Sequence, residues 1–271
     1  MKKYELTDET KEINGYTLHR IVAARDFGNV KAGDKGGWIE KESNLSHDGD
    51  CWVYDNALVF EDAKVSDNAK VRDGAVVYGT AQVFGNAKML DGAKVSGNAK
   101  LSGRATLSCY AHVFENAQVY DMATINDTAM VYGNARVFTS AKLFESARVY
   151  GDAFVHDKAI LFGSAKVHGK AKVHGNVTLN GNEELCGTAD VSSARDFIVF
   201  QNWWDTGRCF TWTRSNNLWC LDGILYNSTD LVREAKSYSE VAGREYERIV
   251  KYVEKILKAE KKRTICRKTI I

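Results

Sequence analysis

Three histidines, His156, His168 and His174, each follow a valine in a recurring Ala-x-Val-His phrase. Imidazole titrates near neutrality, so each is a candidate for taking or giving a proton. His156 and His174 are eighteen residues apart and, on a coil of that length, would stand one rung apart. Such a pair could share a metal ion, although no third ligand is evident in its column. An outward histidine on such a coil is more often plain solvated surface. The SHDGD run (46 to 50) gathers His47, Asp48 and Asp50, donors a metal could use, in a Gly-containing turn that suits a solvated corner as well. The glycine-rich AGDKGGW (32 to 38) has neither the spacing nor the strand-to-helix context of a phosphate loop, so close packing is its better reading. Six cysteines, at 51, 109, 186, 209, 220 and 266, form no CxxC pair and no metal-finger spacing, which points to reduced thiols. No metal site and no cofactor is expected from these patterns.

The element that must position these groups is a six-residue phrase. It runs through AKVSDN (63 to 68), AQVFGN (81 to 86) and AKVHGN (171 to 176), and twenty-four such hexads fit between Cys51 and Ala194 without an insertion. A fixed short period of this kind is a recognised mark of a β-helix. Ala at the first position and Val, Leu, Ile or Met at the third lie two apart, so on an extended segment they share the inward face. The fifth and sixth positions, rich in Asp, Gly and Asn, form the corner. Three hexads close one triangular coil, and eight coils stacked about 4.8 Å apart make a prism on the order of 38 Å long. One coil cannot stand alone, because three buried Val-sized side chains give roughly 6 kcal/mol while ordering eighteen residues costs roughly 1 to 2 kcal/mol each. The chain has no proline, as suits a body whose N–H groups are nearly all needed in ladders. In the inward slot Val177 and Glu183 replace Ala, and a buried unpaired Glu183 predicts a loosened coil or an outward turn there.

These hexads resemble the hexapeptide-repeat, left-handed β-helix superfamily, whose frame sets a small residue four positions after an aliphatic one, as in Val65 to Ala69 or Val83 to Ala87. The residue after the aliphatic one departs from that frame: it is often aromatic here, as at Phe60, Tyr78, Phe114, Tyr132, Tyr150 and Phe162. The run from Ala24 to Ala57 is similar to the start of a group of bacterial and phage hexapeptide-repeat proteins, some labelled as transferases, and brings no established activity with it. The resemblance implies a trimer with ligands in the clefts between prisms. It also implies an alternative to binding: acyl transfer from acyl-CoA, with His156, His168 or His174 as the general base. A loop that breaks the repeat to build the pocket would be expected for that chemistry, and the repeat has none.

Lys plus Arg exceed Asp plus Glu by two, so no overall field argues for nucleic acid or an acidic membrane. No apolar run is long enough to span a bilayer, and MKKYELTDETKEING lacks the apolar core of a signal peptide, so a cytoplasmic protein is expected. Three segments follow: a β-hairpin cap over 1–44, with Asn14-Gly15 as its turn; the β-helix over 45–194; and an α+β module over 195–271. In the module, three or four antiparallel strands with turns at Ser215-Asn216-Asn217 and Asp222-Gly223 precede two helices. The first is capped by Ser228 or Thr229 and the second covers about 244 to 260. Trp203, Trp204, Trp212 and Trp219 are read as core rather than as a stacking platform, and the closing KKRTICRK as a solvated tail.

With eighteen residues per coil, every third hexad shares a face. The first face carries Leu58, Phe60, Val76, Tyr78, Phe114, Met130, Tyr132 and Tyr150, an apolar stripe that predicts an oligomer contact or, alternatively, an aromatic ladder for a planar ligand or glycan. The second alternates Lys64, Gln82, Lys100, Gln118 and Arg136, which keeps like charges off adjacent rungs. The reading that follows is a non-catalytic binding or scaffold protein of phage or bacterial type. It would hold a small molecule, nucleotides included, or a host protein on an oligomeric β-helix.

Overall fold

The computed structural model describes residues 2–204 and 207–268, with side chains as far as 261. The body is a parallel β-solenoid. Each hexad contributes a two-residue strand at its second and third positions, and the strands stack into three parallel sheets. The first face has nine parallel rungs, from Lys35–Ile39 to Glu184–Leu185, and the other two have eight each. Pairing runs eighteen residues up the chain, as in Met130 with Arg148 and Val131 with Val149. The alanines and aliphatic residues of the hexads are buried in one continuous core.

The corners explain the Asp and Gly at the fifth position. From Asp55 to Gly175 the fifth residue of every hexad has positive φ, between about 51° and 76°. At most of the acidic corners the carboxylate offsets the strain of that conformation by taking an N–H from the coil above. Asp67 Oδ2 accepts from Gly85 N at 2.8 Å, Glu115 Oε2 from Gly133 N at 2.8 Å and Asp127 Oδ2 from Glu145 N at 2.8 Å. Sixth-position asparagines form a second ladder, with Asn98 donating to Asn116 at 3.0 Å and Asn116 to Asn134 at 3.2 Å.

The solenoid starts earlier than residue 51. Ile39 pairs with Val59 and Leu45 bridges to Val65, both twenty residues apart, whereas Val53 pairs with Val71 eighteen apart. The first coil therefore carries two extra residues at the SHDGD corner, which hides it from a strict six-residue frame. Gly36 and Gly37 belong to this coil: a Cβ on Gly36 would lie 2.6 Å from Ile21 and Trp52, and one on Gly37 2.7 Å from the Ala57 carbonyl. They serve close packing.

The hairpin Tyr4–Ile13 and Tyr16–Ala23 turns at Asn14-Gly15 and pairs antiparallel with Lys35–Ile39, extending the first face. Its Leu18, Ile13 and Tyr16 pack on Trp38, Leu58, Phe60, Val76 and Tyr78. Lys3 closes the end of the prism. Fully buried, its Nζ donates to the Cys51 carbonyl at 2.9 Å and sits 3.1 Å from Cys51 Sγ.

After Val191 the chain forms a four-stranded antiparallel sheet, Phe197–Gln201, Cys209–Thr213, Leu218–Leu221 and Ile224–Tyr226, followed by α1 (Ser228–Tyr238) and α2 (Glu240–Lys268). The N-cap of α1 is Asn227, whose side chain accepts from Asp230 N at 2.9 Å, one residue ahead of the predicted serine. The second helix starts four residues earlier and runs eight residues further than its apolar stripe suggests, through the KKRTICRK run. Trp212 and Trp219 are buried and Trp204 packs edge-on against Tyr246, while Trp203 is 80% exposed. Cys186 and Cys220 are joined in a disulfide, contrary to the expectation of free thiols; Cys51, Cys109 and Cys209 are free. The pairing links the solenoid to the module, a proximity that no spacing in the chain encodes.

Glu183 stands half-buried beside Gly181, with its Oε2 buried and without a hydrogen-bond partner. The following Glu184, at an outward position of the hexad, is the one buried, because the module lies over it. No helix among the described residues is long and apolar enough to cross a membrane.

Candidate functional site

The fold places the three histidines on two faces. His156 and His174 stack on the second face with ring centroids 5.0 Å apart, and His156 lies on Phe138 at 4.8 Å, which in turn stacks on Tyr120. Asp157, next along the corner, pairs with His156 Nδ1 at 3.2 Å and lies 3.8 Å from His174 Nδ1, while His174 Nε2 meets Asp190 Oδ1 at 2.8 Å. The Gly175 N–H, then the His156 contact, hold the Asp157 carboxyl below its ordinary range. His174 thus has carboxylates at both nitrogens, and His156 has one fixed by Asp157.

His168 belongs to the first face, where it stacks on Tyr150 at 4.6 Å with the rings 4° from parallel. Its Nε2 is 3.1 Å from Glu184 Oε1, and Glu184 Oε2 accepts the Gly223 N–H at 3.0 Å from the module's tight turn. Burial would raise the Glu184 carboxyl, but the His168 hydrogen bond and the Lys166 charge outweigh it and leave it below the usual carboxylate range. This is an imidazole held by a carboxylate, with the module covering it.

Below His168 the same column continues through Tyr150, Tyr132 and Phe114, with centroids 4.9 and 4.8 Å apart and planes within 11° of parallel. Burial, with the Glu184 charge adding to it, pushes the Tyr150 hydroxyl up to about 12. The column is interrupted at Ser96, whose Oγ meets His112 Nε2 at 2.9 Å, and resumes as Tyr78 on Phe60 beneath the hairpin. Tyr132 and Tyr150 have rings against both faces, and Phe114 has Tyr132 on one face and the tilted His112 ring beside it. What the run offers outward is ring edge and hydroxyl, so a planar ligand or sugar finds no free ring face within the ladder.

Of the predicted stripe, Leu58, Phe60, Val76 and Tyr78 are packed under the hairpin, and Phe114, Met130, Tyr132 and Tyr150 remain half-buried on the open part of the face. The SHDGD histidine is used structurally. His47 Nδ1 accepts from the Lys3 N–H at 3.1 Å, Nε2 meets Glu42 at 2.7 Å, and its ring stacks on Tyr4. The sequence reading missed Glu184, Asp190 and the Cys186–Cys220 junction; nothing in the repeat distinguishes these residues before the module is docked on them. A separate cavity of about 200 Å³ in the module is lined by Asn202, Arg208, Asp222, Tyr226, Leu231 and Tyr246. It is below the roughly 300 Å³ at which pockets for drug-sized ligands begin.

Fold and repeat together define a hexapeptide-repeat β-helix protein. No protein-family profile matches the chain. It is similar to the Uncharacterized acetyltransferase YdcK of Escherichia coli strain K12, 36% identical over 67 residues that make up 22% of this chain and 21% of that protein. The chain therefore spans about a fifth of the length of this curated relative.

Proposed function

We propose that this protein is a binding scaffold that does no covalent chemistry, and that its docking surface is the open part of the first face. The observation that supports this most is the framed strip of ring edges. Phe114, Tyr132 and Tyr150 form the floor, the hairpin covers the face at one end, and the module's Asp222-Gly223 turn covers it at the other. The partner this strip suits best is another copy of the chain, in a trimer about an axis that runs beside this face and parallel to the prisms. Completing the burial of Phe114, Met130, Tyr132 and Tyr150 would contribute at most about 1 to 2 kcal/mol each, reduced by the cost of association. Light scattering coupled to gel filtration tests the reading. Wild type is expected as a trimer at micromolar concentration, and the double variant Met130→Asp, Tyr132→Asp as a folded monomer with a lower melting temperature, since both assembly and the stacking of Tyr132 on Phe114 and Tyr150 are lost. A wild-type monomer would overturn the assembly.

Acetyl transfer is the second reading, favoured by the match to an acetyltransferase and by the His156–Asp157 pair, whose imidazole keeps Nε2 for an acceptor's proton. His168 and His174 suit the role less, with Glu184 or Asp190 on Nε2. Release of free CoA from acetyl-CoA in the presence of amine or hydroxyl acceptors, abolished by His156→Ala, would establish it over the scaffold.

A further inference from the structure

The column of fourth-position residues on the first face runs Phe114, Tyr132, Tyr150, His168 and ends at Cys186 on the last rung. Cys220 reaches the same point from the module strand Leu218–Leu221. One imidazole nitrogen of His168 and the sulfurs of Cys186 and Cys220 all lie within 4.8 Å of one another. Both cysteines are buried, their Cα atoms are 6.2 Å apart, and they belong to segments separated by thirty-four residues. Two sulfurs and an imidazole are the donor set of a borderline-soft divalent cation. Zn–S bonds of about 2.3 Å and a Zn–N bond of about 2.0 to 2.1 Å at tetrahedral angles place the sulfurs about 3.8 Å apart and the nitrogen about 3.6 Å from each. The three donor atoms already lie within 4.8 Å of one another, so that spacing calls for shifts of only about 1 Å once the disulfide is opened. Glu184 adds the outer support usual for such sites: it takes the His168 N–H, and its own second oxygen is held by the Gly223 N–H.

We propose that the junction of solenoid and module is a redox-gated zinc site, with Cys186, Cys220 and His168 as ligands and a fourth position for water. In the oxidised state the disulfide joins the two parts. A dithiol reductant delivers two electrons and two protons to that disulfide and itself closes to a cyclic disulfide, leaving two cysteine thiols. Zinc binding then releases both thiol protons to solvent as the thiolates coordinate. The module stays tied to the last coils in either state, by a covalent bond in one and by metal ligation in the other.

Cobalt(II) is the probe, added to the full-length protein after reduction with a dithiol and removal of the reductant without air. Wild type is expected to bind one cobalt per chain with the visible bands of a tetrahedral site and near-ultraviolet thiolate-to-cobalt absorption, both erased by added zinc. The oxidised protein should give neither. Cys220→Ser is expected to abolish the thiolate band, and His168→Gln to weaken cobalt binding at least tenfold while the melting temperature of the metal-free protein is kept. Cys209→Ser, which alters a free thiol of the same module, should change nothing. Reduced wild type without these bands, whether or not the module stays folded, overturns the proposal, as do bands that survive His168→Gln at full affinity. If Cys220→Ser does not fold, the histidine variant decides.

Discussion

Val131 and Met130 are adjacent in one hexad and differ only in the side of the strand they occupy. Val131 is fully buried and Met130 half-exposed. An aspartate at 131 would carry a charge into an apolar core with no partner, and we expect Val131→Asp to cost at least ~4 kcal/mol and unfold the body in a thermal melt. Met130→Asp should leave the body folded, with a cooperative melt lowered only by what assembly contributes. His112 supplies a pH test at the same scale. It faces Lys94 and Met130 on neighbouring rungs, touches Ser96 and leans on Phe114, and burial followed by the Lys94 charge lowers its pKa. A histidine depressed in the fold stays neutral while the unfolded chain protonates. Its contribution is therefore complete above the ordinary value of 6.5 and is lost as pH falls toward the lowered folded value. The melting temperature of wild type should drop on going below pH 6.5, and His112→Gln should flatten that part of the profile.

At the scale of the element, the corner is where local strain and inter-coil bonding meet. Asp127 has φ of 57° and its carboxylate receives the Glu145 N–H. Replacing it with Gly relieves the backbone and loses the bond, about 1 kcal/mol. Replacing it with Ala keeps a Cβ in the left-handed region as well, for about 2 kcal/mol in all. Denaturant melts should rank wild type above Asp127→Gly above Asp127→Ala; wild type no more stable than Asp127→Gly would mean that the corner bond carries nothing, and the reverse order of the two variants that the left-handed backbone costs a Cβ nothing. The hexad shows the need for a residue tolerant of positive φ, but not that an acidic one reaches the next coil. That follows from the stack, which brings residue i+18 over residue i.

For the whole molecule, the hairpin and the module decide which parts of the first face are open. Removing residues 2–24 would uncover Trp38, Leu58, Phe60 and Val76 and leave the edge of Lys35–Ile39 unpaired. The truncated chain is expected to form concentration-dependent higher assemblies in light scattering, and Met130→Asp should not suppress them, because they arise at the uncovered end. If the truncated protein keeps the wild-type mass, the hairpin is not what protects that end.

Much of the body was legible because a solenoid makes contacts at a fixed short separation. Inward Ala69 and Val71, outward Lys70 and the left-handed Asp73 all follow from position within six residues, and pairing follows from counting eighteen. That logic ends where the period ends. The two extra residues at the SHDGD corner concealed the first coil, since a period cannot report a coil that breaks it. The hairpin's cover over Phe60 and Tyr78, the burial of Glu184 and the meeting of His168, Cys186 and Cys220 depend on contacts between segments with no common repeat. Burial and side-chain packing fixed those contacts when the caps docked, so only the tertiary structure decided which outward residues stay on the surface and which become the floor of a junction.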